Sequence, residues 1–183
     1  MRRAMIFGGM VVVMVTMLYS STVLAEGIKI HKDVSVKNVL ILAGRDAKIG
    51  STELRNGTRQ ANVRQSTSVK NALILAGKDV KVGSIETRGA DTVNVRQSTS
   101  VKNALILAGK DVKVGSLETG GGTVNVRQST KVKNALILAG KDAKIGNTNL
   151  SGVGGVSIVQ HTNVGNTLLL SRGSVKVNSI EVF

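Results

Sequence analysis

The chain has 183 residues, enough for one domain, with a formal net charge of +14, two histidines, and no cysteine, proline or tryptophan. A chain without cysteine has no disulfides, no thiolate metal sites and no lipoprotein attachment. An aromatic share of 2% leaves no stacking platforms for bases, so sequence-specific nucleic-acid recognition is not expected.

Residues 1–25 read as a secretory signal peptide. Arg2 and Arg3 give a positive start, Ile6 to Leu18 form an apolar run, and Val23-Leu24-Ala25 place small residues where a signal peptidase cuts. That run is short for a bilayer, so removal is expected rather than anchoring, with no transmembrane span in the mature form. The expected product is exported to the cell surface, the extracellular space or the periplasm. All five methionines and the only tyrosine leave with the leader, and the one remaining aromatic is Phe183.

Residues 26–183 read as one repeat domain. The segment Val101–Gly109 (VKNALILAG) has near-copies at Val36–Gly44, Val69–Gly77 and Val132–Gly140, and a worn copy at Val164–Arg172. The opening valines stand 33, 32, 31 and 32 residues apart. A fixed period of that size marks a repeat array. The units run over about 28–60, 61–92, 93–123, 124–155 and 156–183, and their length differences fall in Gly-rich stretches such as Gly120-Gly121-Gly122. Within a unit, Val93, Val95, Gln97, Thr99 and Val101 alternate with Asn94, Arg96, Ser98, Ser100 and Lys102. Period two with β-branched enrichment predicts strands. One unit has too few apolar side chains to offset the entropy of ordering it, whereas stacked units share backbone bonds and a continuous core. The expected fold is all-β: a parallel β-solenoid of five stacked repeats of about 32 residues, with about three strands per rung.

Stacking makes equivalent residues neighbours. Asn38, Asn71, Asn103, Asn134 and Asn166 form one file and Gln65, Gln97, Gln128 and Gln160 another, both candidates for amide ladders that fix register. Strict alternation carried through the apolar strand turns Leu105 and Leu107 inward. It leaves Ile41, Ile74, Ile106 and Ile137, with the alanines beside them, as an outward apolar stripe. That stripe is either covered within the chain or a self-association surface. Arg64, Arg96 and Arg127 form a cationic file, and Lys70, Lys102 and Lys133 a second on the same outward parity, about 20 Å away. A third file, Lys48, Lys81, Lys113, Lys144 and Lys176, follows. Such a grid could hold acidic polysaccharide, lipopolysaccharide or extracellular DNA, or it could be a solvated face that keeps the chain soluble. The Ser98 and Ser100 hydroxyls suit a flat ice- or surface-binding face, interrupted by Arg96 and Lys102. His31 and His161 occupy different repeat positions, and the carboxylates recur as files with no distinguished acid–base pair. Neither a metal, a cofactor nor an enzymatic activity is therefore expected.

Gln97 followed by Asn103-Ala104, with the equivalents Gln65 and Asn71-Ala72, and Gln128 and Asn134-Ala135, resembles the repeats of curli-type functional amyloids and related bacterial β-solenoid surface proteins. The resemblance implies a self-assembling surface or extracellular-matrix fibre subunit of the adhesion or biofilm type, its partner a second copy of itself.

Overall fold

The computed structural model describes residues 27–55 and 59–183, so the expected signal peptide and loop residues 56–58 lie outside the described residues. The alternating pattern forms strands β1 (Ile28–Ala43), β2 (Ala47–Ile49), β3 (Thr52–Arg55), β4 (Gln60–Ala76), β5 (Val80–Val82), β6 (Ile85–Ala108), β7 (Val112–Val114), β8 (Leu117–Ala139), β9 (Ala143–Ile145), β10 (Thr148–Ser151), β11 (Gly155–Ser171), β12 (Val175–Val177) and β13 (Ile180–Val182). Every pairing between them is parallel. No helix occurs among the described residues.

The register follows the sequence repeat. Val36, Val69, Val101, Val132 and Val164 are successive partners across β1, β4, β6, β8 and β11. The fold is the expected parallel β-solenoid of five turns. Each turn has a long side, a short side (β2, β5, β7, β9, β12) and a third side formed by β3, the starts of β6 and β8, β10 and β13. Length differences between units are taken up after that third side, where the β6–β8 register shifts between Arg88 and Ala90.

The cross-section is pinched into two lobes. In one, Val69, Ala72 and Ile74 of the long side face Val80 and Val82 of the short side. In the other, Ala61, Val63, Val93 and Val95 meet Ile85 and Leu117. Between them lies a buried polar waist. Gln65, Gln97 and Gln128 and Thr67, Thr99 and Thr130 are each 3% exposed or less. They face the corner glycines, which take a left-handed backbone: Gly83 has φ +60°, and a Cβ there would lie 2.4 Å from the Thr99 hydroxyl oxygen. The corner therefore requires glycine twice over, for its φ and for its closeness to threonine.

One expectation is overturned. Ile74, Ile106 and Ile137 are 0% exposed and Ile41 is half-buried, so they form the floor of the first lobe and not a surface stripe. The leucines Leu73, Leu75, Leu105 and Leu107 point outward in their place. The cause is a corner at each asparagine: Asn38, Asn71, Asn103, Asn134 and Asn166 have φ between 48° and 53°. One left-handed residue turns the chain and lets two successive side chains, Lys102 and Asn103, both face solvent. Alternation restarts at Ala104 in the opposite phase. Asparagine is among the few non-glycine residues that tolerate this region.

Candidate functional site

The surface is organised as files of identical side chains one rung apart. The asparagine ladder forms as expected: the Asn71 amide donates to Asn38 Oδ1 at 2.8 Å, Asn103 to Asn71 at 3.1 Å, Asn134 to Asn103 at 3.1 Å, and Asn166 to Asn134 at 3.3 Å. A second ladder, missed in the sequence, joins Asn94 to Asn62 at 2.9 Å and Asn125 to Asn94 at 3.0 Å. Its signal was present, because asparagine takes the same outward position in three consecutive units.

The glutamine file is also in register, but its amides do not ladder onto each other. Gln97, Gln128 and Gln160 donate across the waist to the carbonyl oxygens of Gly83, Gly115 and Gly146. The Thr148 hydroxyl lies 2.8 Å from Gln128 Oε1 and 2.9 Å from Gln160 Oε1. At the pinch these three amides satisfy the opposite corner's backbone carbonyls, with the Thr99 hydroxyl a second, longer donor to Gly83 at 3.4 Å. The first rung departs from the pattern with Lys32. Its ammonium donates to the Ser51 carbonyl at 2.8 Å, and burial lowers its pKa below the ordinary 10.5.

The third lysine file is largely neutralised within the chain. Its exception is Lys144, which has Asn149 where the other rungs carry glutamate and forms no ion pair among the described residues. Lys48 meets Glu53 at 2.6 Å, Lys81 meets Glu86 at 2.5 Å and Lys113 meets Glu118 at 2.5 Å, with cross-rung contacts of 3.5 Å from Lys81 to Glu53 and 3.7 Å from Lys113 to Glu86. Lys176 pairs with Glu181. On Lys81, burial is the largest influence and lowers its pKa, yet Glu86 and Glu53 together outweigh it and hold the ammonium above its usual value.

The other two cationic files differ. Arg64, Arg96 and Arg127 are exposed and in register, and none forms an ion pair among the described residues. A shallow groove runs along them beside the hydroxyls of Ser66, Ser98 and Ser129, closed by His31 and Asp33 at one end and by Val159 and His161 at the other. Lys37, Lys70, Lys102 and Lys133 are likewise exposed and stacked. Among the described residues, no group of three or more His, Asp or Glu side chains is arranged to hold a metal ion.

Two apolar features complete the surface. The outward leucines form parallel files, one through Leu73, Leu105 and Leu136 and one through Leu75, Leu107 and Leu138, running from the first rung to the last. The end rungs are also open. Val175, Val177, Ile180 and Val182 occupy core positions in the last rung yet are 41 to 59% exposed.

No family model, curated protein or solved structure matches this chain. The functional reading therefore rests on its own surfaces. No helix among the described residues is long and apolar enough to cross a membrane.

Proposed function

We propose that this protein is a structural subunit that adds end to end into a fibre at the cell surface or in the extracellular matrix. The observation that carries the reading is the match between its two open ends. Val156, Ile158, Val164, Asn166, Leu168 and Leu170 in the last rung repeat Ile28, Ile30, Val36, Asn38, Leu40 and Leu42 in the first at a constant offset of 128 residues, four repeats. A second copy set on the last rung would thus continue the register. It would extend the asparagine ladder from Asn166 to its own Asn38 and cover the exposed Val175, Val177, Ile180 and Val182. Unpaired parallel edges over a bare core favour such addition. Incubation of the purified protein should give unbranched fibres in electron micrographs, with a reflection at about 4.7–4.8 Å along the fibre axis. A chain that stays monomeric at high concentration overturns the reading.

The free arginine file supports a second reading, a polyanion-binding surface. Three guanidiniums about 4.8 Å apart, beside a row of hydroxyls and without carboxylate partners, form an anion-binding strip. Binding of an acidic polysaccharide should weaken with added salt and be lost when Arg64, Arg96 and Arg127 are all changed to glutamine. Unchanged binding in that variant excludes it.

A further inference from the structure

The leucine face is a feature that neither reading uses. Its leucines lie on the sheet side between the asparagine corner and the glycine turn, one file beside Asn71 and Asn103, the other beside Gly77 and Gly109. The outer members are openly exposed: Leu42 is 63%, Leu168 56% and Leu170 52% accessible. The inner ones are half-buried. Five rungs at about 4.8 Å and five residues at about 3.3 Å make a ribbon of about 24 by 16 Å, roughly 400 Å². That equals the largest apolar patch of an ordinary monomer, a feature that is often functional, and here the lysines on its borders add a second signal.

Size and charge together select the occupant. A stable complex between two proteins needs about 800 Å² from each partner, twice what the ribbon supplies. Pairing two ribbons face to face would also bring like cations together at both rims. Lys70, Lys102 and their file stand one residue before the asparagine corner, and Lys78, Lys110 and Lys141 one residue after the glycine turn. The aspartates beyond them, such as Asp79 and Asp111, turn along the stack to accept the backbone N–H of the next rung's aspartate, at 3.3 Å for both Asp79 and Asp111. An apolar strip edged on both sides by lysine complements a surface that is apolar beneath and anionic on top.

We propose that the leucine ribbon docks on an anionic lipid surface, its leucines entering the boundary between headgroups and acyl chains and its bordering lysines meeting headgroup phosphates. Apolar burial and electrostatic attraction to anionic lipid are the two contributions that hold any interfacial element in place. This goes beyond fibre assembly, since the ribbon lies along the solenoid and not at its ends. It is also distinct from the arginine groove, which lies on the strand segment before the asparagine corner.

The natural chain has no cysteine, so single labels report on single faces. An environment-sensitive dye at Leu107→Cys should shift to the blue when the full chain is mixed with vesicles of equal parts phosphatidylglycerol and phosphatidylcholine. The same dye at Ser98→Cys, on the arginine face, should not. Changing Lys78, Lys110 and Lys141 to glutamine should weaken the response roughly ten- to a hundredfold. A second label at Leu75→Cys repeats the reading if either variant loses its β-sheet circular dichroism. The proposal is overturned by no shift at residue 107, by equal shifts at residues 107 and 98, or by a response that is as strong with pure phosphatidylcholine. A shift without vesicles that grows with protein concentration assigns the ribbon to a second copy instead.

Discussion

Single residues decide which face is which. At Asn103 two roles coincide: a left-handed backbone with φ 53° and a place in the amide ladder. Substitutions separate them. Asn103→Gly keeps the backbone free and removes only the exposed ladder bonds, at a net cost of about 1 kcal/mol. Asn103→Ala loses the same bonds and keeps a β-carbon in the left-handed region without the short polar side chain that lets asparagine tolerate it, which places it roughly 1–2 kcal/mol below the glycine variant. Thermal or denaturant melts should therefore rank alanine clearly below glycine, and equal losses would show that the corner does not depend on φ. Lys32 poses the opposite problem, a charge at the waist position where Gln65, Gln97, Gln128 and Gln160 stand in the other rungs. Burial lowers its pKa below 10.5, so the unfolded chain holds that proton more tightly than the folded one. The charge thus costs stability at neutral pH, and the cost fades as pH rises through the folded-state value toward 10.5. Lys32→Gln should raise the melting temperature at neutral pH and flatten the alkaline rise in stability. The same change should speed fibre growth, because an inward charge on an edge strand opposes addition of a neighbour. A variant that melts lower and polymerises more slowly would show that the Lys32–Ser51 bond matters more than the charge.

At the scale of the strand, the turned phase makes neighbouring residues respond very differently. Ile106 is 0% exposed and Leu107 is half-buried on the surface. Ile106→Ala should cost about 2–5 kcal/mol, as a buried cavity does. Leu107→Ala should fall within about 1 kcal/mol, because it removes only contacts along an exposed file. Denaturant midpoints of the two variants test this, and the reverse order would restore strict alternation through Asn103. Much of the fold was legible in the sequence: the 31- to 33-residue spacing of the valines became the rung, and the asparagine file became a hydrogen-bonded ladder. The phase after Asn103 was not read, because period-two counting takes every residue as extended and a left-handed one is invisible to it. Two consecutive polar residues, Lys102 and Asn103, before an Ala-Leu-Ile-Leu-Ala run were the available clue. The glutamines were placed in register correctly, but their partners are carbonyls on another side of the rung. Spacing along one strand gives no view across a core.

The whole molecule is a short stack with unlike ends, and this governs how any polymer grows. The contact between the last rung of one copy and the first rung of the next is heterologous, so it closes on nothing and continues as an open fibre. A subunit damaged at one end should therefore still join by the other. Val177 and Val182 are 41% and 59% exposed, so Val177→Lys with Val182→Lys should leave the monomer's stability within about 1 kcal/mol of the parent. Each lysine would nevertheless be buried without a partner if a further copy were added, at a cost of several kcal/mol. Such a variant enters a growing fibre through Ile28 to Ala43 and then bars the next addition. A small fraction mixed into the parent protein should shorten the fibres seen by electron microscopy far more than its share of the mass, while the variant alone stays unassembled. If assembly instead ran through a two-fold contact of last rungs, the poisoned fraction would remove only its own mass, and if it ran through the leucine face the variant would assemble as the parent does. The length distribution against mixing ratio separates these cases.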